Sequence, residues 1–163
     1  MRVILIVGHS GAGKTTLIEQ LVQTATTRGL VVATIKHAHH RVTLDTPGKD
    51  SWRYTQAGAA KSLLVTQDGL QLVTSLPAES DPHALAQVYM ADADLVFAEG
   101  FSESPGPKIE VLRRACSAQP RCTPAQGLIA LVTDVADVYP QLPHFALNDI
   151  EDLLAFILAR VAT

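Results

Sequence analysis

Val3-Ile4-Leu5-Ile6-Val7 runs directly into Gly8-His9-Ser10-Gly11-Ala12-Gly13-Lys14-Thr15 near the start of the chain. Five consecutive apolar residues are typical of a central strand that is buried on both faces of a parallel sheet. The next eight residues fit the pattern GxxxxGK(S/T) at every fixed position, and residues 14–28 follow with an apolar stripe of helical period. This order of strand, glycine-rich loop and helix predicts a loop that binds phosphate groups at the start of a helix.

The residue types in this loop suit a nucleoside triphosphate. Lys14 is placed to reach the β- and γ-phosphates, Thr15 to offer its hydroxyl to Mg²⁺, and Thr16 to contact the α-phosphate. Glycines allow the main chain to approach the phosphates closely, with its amides pointing inward. The amides predicted to surround the phosphates belong to Gly11, Ala12 and Gly13.

Length and charge limit the kinds of protein that this chain can be. With 163 residues it is predicted to form a single domain, residues 1–163. Its 13 basic and 16 acidic side chains give a formal charge of −3, which excludes a global positive field that would hold nucleic acid or an anionic membrane surface. The apolar run at residues 3–7 is much shorter than the ~20 residues of a membrane span, so we expect a cytoplasmic protein.

Short β-branched runs alternate with amphipathic stretches along the chain. This alternation predicts an α/β fold of the P-loop NTPase type, with a mainly parallel central sheet and helices on both faces. Asp68-Gly69 is favoured in two-residue turns, so residues 61–67 and 70–75 predict an antiparallel hairpin at one side of the sheet. Helix starts are predicted at Asp50, at Asp81-Pro82, and at a capping box of Asn148 with Glu151. The apolar faces predicted for the last two helices are Leu85, Val88 and Tyr89, and Leu153, Leu154, Ile157, Leu158 and Val161.

Glu99 is the candidate acid for a magnesium site. It directly follows the apolar residues 95–98, at the end of a predicted strand, where a carboxylate can hold the metal or its waters. Asp45 lies in a polar loop, where it is either part of the Mg²⁺ shell or an ordinary loop carboxylate. Lys108 is likewise either a ligand contact or a solvated charge.

His37, His39 and His40 follow the strand predicted at residues 30–36. Three imidazoles so close together suit a transition metal or an anion, and a solvent-facing histidine-rich loop is the alternative. Cys116 and Cys122 match neither a CxxC pair nor a complete zinc set. We expect two reduced thiols, with a disulfide or half of a shared metal site as alternatives.

Six blocks of the sequence together resemble one protein family. The blocks are Gly8 to Thr15, Lys36-His37-Ala38-His39-His40, Asp45-Thr46-Pro47-Gly48-Lys49-Asp50-Ser51, Ala57-Gly58-Ala59, Glu99-Gly100-Phe101 and Lys108-Ile109-Glu110. Their content and order resemble the molybdopterin-guanine dinucleotide biosynthesis protein B (MobB) family over most of residues 3–114. The first block alone does not identify a family, because many unrelated nucleotide hydrolases carry it. Residues 48–51 and 99–101 make the resemblance specific to this family.

The resemblance implies a GTP-binding adaptor with slow GTPase activity, often a homodimer. Such proteins assist the molybdenum cofactor guanylyltransferase, and molybdopterin-binding proteins are further possible partners. The implied GTP ligands are Gly11, Gly13, Lys14, Thr15 and Thr16, with Asp45 and Glu99 near Mg²⁺. Lys14, Asp45 and Glu99 are the candidate catalytic residues. His37, His40, Lys49 and Lys108 match family blocks and are further candidates for nucleotide contact.

Two other functions fit the same loop. A P-loop kinase for a small metabolite needs an arginine-bearing lid, which residues 102–108 do not supply. A metal-delivery GTPase would use the three histidines. The sequence has no NKxD stretch to recognise guanine, and Thr133-Asp134 is a candidate replacement. No arginine finger is assigned, with Arg41, Arg53 or a partner's arginine as candidates.

Overall fold

The computed structural model describes residues 1–38, 40–76 and 81–160. In chain order the elements are β1 (Arg2–Val7), α1 (Lys14–Thr27), β2 (Val32–Lys36), α2 (Asp50–Gln56), β3 (Lys61–Val65), β4 (Leu70–Thr74), α3 (Pro82–Tyr89), β5 (Leu95–Glu99), β6 (Lys108–Leu112), a short 3-10 helix (Pro124–Gln126), β7 (Leu128–Thr133), β8 (His144–Phe145) and α4 (Ile150–Arg160). These elements form two compact units. The first unit comprises Met1–His37 and Asp81–Thr163, and the second comprises Ala38–Ser80.

A six-stranded sheet forms the centre of the first unit. Its strand order is β2-β5-β1-β6-β7-β8, and every neighbouring pair is parallel. The strand β1 lies between β5 and β6, and five of its six residues are buried. The consecutive apolar residues 3–7 predicted this position, because a strand covered on both faces has no solvent side to alternate toward. The predicted α/β fold with a mainly parallel sheet is therefore confirmed.

Two apolar clusters cover the two faces of this sheet. On one face, α1 and α4 pack through Leu17, Leu21 and Leu154 against the fully buried Phe97 of β5. On the other face, α3 contributes Ala86 to a cluster with Leu5 of β1. Alternate residues of each strand supply the two clusters, as the pleat of a strand requires. Helices thus lie on both faces, as predicted.

The hairpin predicted around Asp68-Gly69 exists, but its predicted position at one side of the main sheet is wrong. In the second unit, β3 and β4 form a separate antiparallel two-stranded sheet against which α2 packs. The strands pair Val65 with Leu70, and the amide and hydroxyl of Thr66 both donate to the Gly69 carbonyl, at 2.8 and 3.1 Å. The turn is therefore centred on Gln67-Asp68 rather than on Asp68-Gly69.

Three predicted helix details are also wrong. Lys49, not Asp50, occupies the N-cap of α2, and Asp50 is the first helical residue. Glu151 forms an ion pair with Arg28 instead of closing a capping box with Asn148. The third error concerns α3, whose Val88 and Tyr89 are exposed while Pro82 and Ala86 are buried. By contrast, Asp81 caps α3 as predicted, its carboxylate accepting from the Ala84 amide at 3.0 Å. Val161 lies outside the described residues.

Cys116 and Cys122 are free thiols, the first exposed and the second buried. This confirms the prediction of two reduced cysteines. Among the described residues, no helix is both long and apolar enough to cross a lipid bilayer.

The strand β6 carries two charged side chains into the interior. Lys108 and Glu110 are 1% and 0% exposed, and the face they share belongs to the side covered by α3. Lys108 Nζ donates to the carbonyls of Ser104 at 2.6 Å and Gln126 at 2.5 Å. It thereby joins the loops before β6 and before β7, which border a groove of about 360 Å³. The alternative of a solvated charge is wrong for Lys108, because this ammonium is buried against main-chain oxygens.

Replacement of Lys108 by methionine should destabilise the first unit, because two buried carbonyls lose their charged donor. We expect Lys108→Met to lower the free energy of unfolding by about 2 kcal/mol in urea titration. Lys61→Met, at an exposed lysine of β3, is the matched control and should change it by less than about 0.5 kcal/mol. Equal losses in the two variants would contradict the bridging role of Lys108.

Glu110 should make stability depend on pH. Burial raises the pKa of its carboxyl, although the amides of Arg121 and Cys122 oppose the shift. Between the unfolded value of about 4.3 and the raised folded value, the folded state binds more protons, so this group's contribution to stability falls as pH rises. Relative to the wild type, Glu110→Gln should therefore gain stability with rising pH in this window, by at most about 1.4 kcal/mol per unit. Urea titrations across pH 4–8 that gave parallel curves would contradict this.

Candidate functional site

The loop at residues 8–13, here the glycine loop, connects β1 to α1. Its glycines Gly8, Gly11 and Gly13 have φ of 138°, 75° and 98°, in the region that L side chains rarely adopt. A Cβ on Gly8 would lie 2.4 Å from the Val111 carbonyl oxygen of β6. Position 8 therefore requires glycine for two reasons: its φ is one that L side chains rarely adopt, and the main chain of β6 lies too close for a Cβ. Ala12 of the same loop is buried, and its amide donates to the His9 carbonyl at 3.3 Å.

Lys14, the first residue of α1, turns back onto this loop. Its Nζ donates to the carbonyl oxygens of Gly8 at 3.1 Å and His9 at 2.8 Å. Burial lowers the pKa of the Lys14 ammonium, and the nearby Glu99 carboxylate acts in the opposite direction. The result is a partly desolvated cation at the mouth of the loop, where a negative group is strongly attracted. Thr16 lies exposed in the first turn of α1.

Glu99 connects α1 to the ends of two strands. Thr15 Oγ1 donates to Glu99 Oε2 at 3.1 Å, and the Lys36 ammonium pairs with Glu99 Oε1. Glu99 itself is 7% exposed at the end of β5, in register with Ile6 of β1. A hydroxyl and a carboxylate oxygen this close are hard donors of the kind that Mg²⁺ binds together with phosphates and water. Thr15 and Glu99 therefore fit the metal role predicted for them.

Lys36 is a site residue that the sequence reasoning did not single out. It is the last residue of β2 and pairs in register with Glu99 of β5. The signal was present in the pattern, because parallel strands bring their carboxyl ends to one edge of the sheet. What the sequence did not show was that β2 and β5 are neighbours.

Of the three candidate histidines, His37 and His40 are among the described residues and His39 is not. His37 donates its amide to the Glu99 carbonyl at 3.0 Å, and its ring stacks on Phe101 with centroids 4.9 Å apart. His40 is exposed, and His39 lies outside the described residues. Within residues 1–38, 40–76 and 81–160, no group of three histidine, cysteine or acidic side chains is arranged to hold a metal.

His40, Asp45 and Lys49 lie in the second unit, where Asp45 has a defined local role. Its Oδ1 accepts from the Thr46 amide at 2.7 Å and from the Ser51 hydroxyl at 3.1 Å. Its Oδ2 is a buried oxygen with no hydrogen-bond partner among the described residues. Lys49 is the N-cap residue of α2. Their contacts with a nucleotide remain predictions, as does that of Lys108.

A second loop, for which no role was predicted from the sequence, lies against the glycine loop. This loop, residues 113–122, follows β6. His9 Nε2 is 3.2 Å from the Gln119 carbonyl oxygen, and Cys116 Sγ is 3.9 Å from where a Cβ on Gly11 would stand. The part of the 113–122 loop around Cys116 and Gln119 therefore borders the candidate site.

Asp134, the candidate for guanine recognition, instead accepts hydrogen bonds from the start of this second loop. Its Oδ2 accepts from Arg113 Nε at 3.2 Å and its Oδ1 from the Arg114 amide at 2.7 Å. The Arg114 amide and the Arg113 guanidinium hold the pKa of this carboxyl below its usual range. The observed role of Asp134 is thus to fix the chain where it leaves β6.

Comparison with known proteins agrees with the sequence resemblance. The family model for molybdopterin guanine dinucleotide synthesis protein B, MobB, matches residues 3–134. The chain is 38% identical to the molybdopterin-guanine dinucleotide biosynthesis adapter protein of Haemophilus influenzae, over 83% of this chain and 74% of the relative. It is 32% identical to the protein of the same name from Escherichia coli, over 91% of this chain and 86% of the relative.

Solved structures give the same result. A crystal structure of molybdopterin-guanine biosynthesis protein B superposes with a TM-score of 0.74 at 27% identity, covering 98% of both chains. The crystal structure of Bacillus subtilis MobB superposes with a TM-score of 0.75 at 26% identity, covering 99% of both chains. The match of the family model over most of the chain, together with these relatives, shows that the chain belongs to the MobB family.

Proposed function

We propose that this protein binds GTP with Mg²⁺ at the glycine loop and acts as an adapter in molybdopterin guanine dinucleotide biosynthesis. The observation that carries the nucleotide part is the convergence of Lys14, Thr15 and Glu99 at the end of β1. A partly desolvated ammonium, a hydroxyl and a carboxylate are the groups that a triphosphate and its metal require. The choice of guanine over adenine rests on the family resemblance.

In this proposal the chain's own residues bind and orient the nucleotide. Lys14 exchanges its two carbonyl contacts for phosphate oxygens, and the amides of the glycine loop hold the diphosphate. Thr15 and Glu99 would hold Mg²⁺, which when bound neutralises developing charge on the phosphates. Hydrolysis by in-line attack of water is expected to be slow, since the protein serves mainly as an accessory.

The adapter part of the proposal rests on the relatives, whose names describe adapter proteins of molybdopterin-guanine dinucleotide biosynthesis. The partner we propose is the molybdenum cofactor guanylyltransferase. We also propose a homodimer. An apolar surface is present for one: Leu63, Val65, Leu70 and Leu72 share one face of the β3–β4 hairpin, and all four are exposed.

Loss of the Lys14 ammonium should abolish nucleotide binding. We expect Lys14→Ala to weaken GTP binding at least 100-fold in titration calorimetry, because a charge-assisted contact to phosphate is lost in a partly buried position. Thermal unfolding should remain cooperative, since Lys14 is not part of the apolar core. Lys61→Ala is the control of equal charge and should bind GTP as the wild type does. Unchanged GTP affinity in Lys14→Ala would refute the assigned site.

Nucleotide should control the interaction with the guanylyltransferase. Immobilised protein is expected to retain purified guanylyltransferase in the presence of GTP and Mg²⁺, and to retain at least fivefold less with GDP or with Lys14→Ala. The physical reason is that the γ-phosphate adds charge at the mouth of the loop, which neighbouring loops sense. Equal retention in all of these conditions would contradict a nucleotide-dependent adapter, and no retention would contradict the partner.

A further inference from the structure

The 113–122 loop is attached to the candidate nucleotide site by its main chain. Glu110 Oε1 accepts from the Arg121 amide at 2.6 Å, and Oε2 accepts from the Cys122 amide at 2.9 Å. Glu110 is fully buried on β6 and in register with Val7, the residue before the glycine loop. The end of the 113–122 loop is therefore fixed to the same strand pair that places Gly8.

This arrangement places Arg121 near the glycine loop. Arg121 is exposed, and its amide is held by Glu110. Gln119, two residues earlier in the same loop, has its carbonyl oxygen 3.2 Å from His9 Nε2 of the glycine loop. Arg121 therefore lies on the part of the 113–122 loop that borders the glycine loop, onto which Lys14 also turns back.

Among the described residues around the glycine loop, the cations outnumber the carboxylates. Lys14, Lys36 and Arg121 are three cations, whereas Glu99, which pairs with Lys36, and Glu110 are the carboxylates beside them. Glu110 already directs both carboxylate oxygens at the main-chain amides of Arg121 and Cys122. Cations are kept together at a cost unless a negative group binds among them, and a polyphosphate carries several negative charges.

We propose that Arg121 is a second phosphate-binding cation, beside Lys14, which the 113–122 loop supplies to the polyphosphate held by the glycine loop. The proposal rests on the proposed function and adds a residue to that site. A guanidinium offers paired donors that match phosphate oxygens, which an ammonium does not. Because this arginine belongs to the same chain, the phosphates can be held without an arginine from a partner protein.

The test is GTP affinity in a set of arginine variants. Arg121→Ala should weaken GTP binding about tenfold in titration calorimetry, and Arg121→Lys should lie between this variant and the wild type. Arg114→Ala is the matched control, because it removes the same charge from the same loop and Arg114 is anchored through its main chain. It should bind GTP within about twofold of the wild type. All three variants should unfold at the wild-type temperature, because Glu110 holds the loop through main-chain amides, which a side-chain substitution does not remove.

Salt dependence separates a phosphate contact from a structural role. With one ionic contact fewer, the affinity of Arg121→Ala for GTP should fall less steeply with sodium chloride than that of the wild type. Wild-type affinity in Arg121→Ala, an equal loss in Arg114→Ala, or an unchanged salt dependence would overturn the proposal. If Lys14→Ala loses GTP binding while Arg121→Ala keeps it, only this inference fails. If Lys14→Ala also keeps it, the proposed function fails.

Discussion

The parallel pairing of β1 with β5 on one side and with β6 on the other brings the groups of the candidate site together. Because the three strands run in the same direction, Glu99 at the end of β5 reaches Thr15 directly beyond β1. The pairing with β6 brings Val111 so close to Gly8 that no side chain fits there. The register of these strands therefore fixes both the shape of the glycine loop and the acid that faces it.

Two buried charged side chains hold loops of this protein in place. Lys108 and Glu110 are adjacent on one face of β6, and each satisfies main-chain groups of loops that follow or precede the strands. A charged group is costly to bury, and hydrogen bonds to several main-chain partners offset that cost. The strand β6 therefore positions the groove-lining loops through Lys108 and the 113–122 loop through Glu110.

Much of the fold could be predicted from local sequence patterns. The apolar residues 3–7 indicated β1, and the hydrophobic residues before Glu99 indicated β5, because strands buried on both faces leave a continuous apolar run. One of the errors arose because a side chain had a choice of partners. Glu151 forms an ion pair with Arg28 on α1 rather than closing a local cap, and no local pattern reveals that distant partner.

Thr15 and Glu99 could be predicted, because Thr15 belongs to the GxxxxGK(S/T) pattern and Glu99 ends an apolar strand, and the structure brings the two together. Lys36 also ends a predicted strand, but its pairing with Glu99 could not be predicted, because the sequence does not show that β2 and β5 are neighbours. The position of Arg121 could not be predicted either, because it depends on the buried acid Glu110, which holds the end of another loop.

A crystal structure of the protein with a non-hydrolysable GTP analogue and Mg²⁺ tests nucleotide binding at the glycine loop most directly. We expect phosphate oxygens within about 3.2 Å of Lys14 Nζ, with Thr15 and Glu99 at the metal or its waters. A nucleotide bound elsewhere, with Lys14 still on the carbonyls of Gly8 and His9, would contradict it.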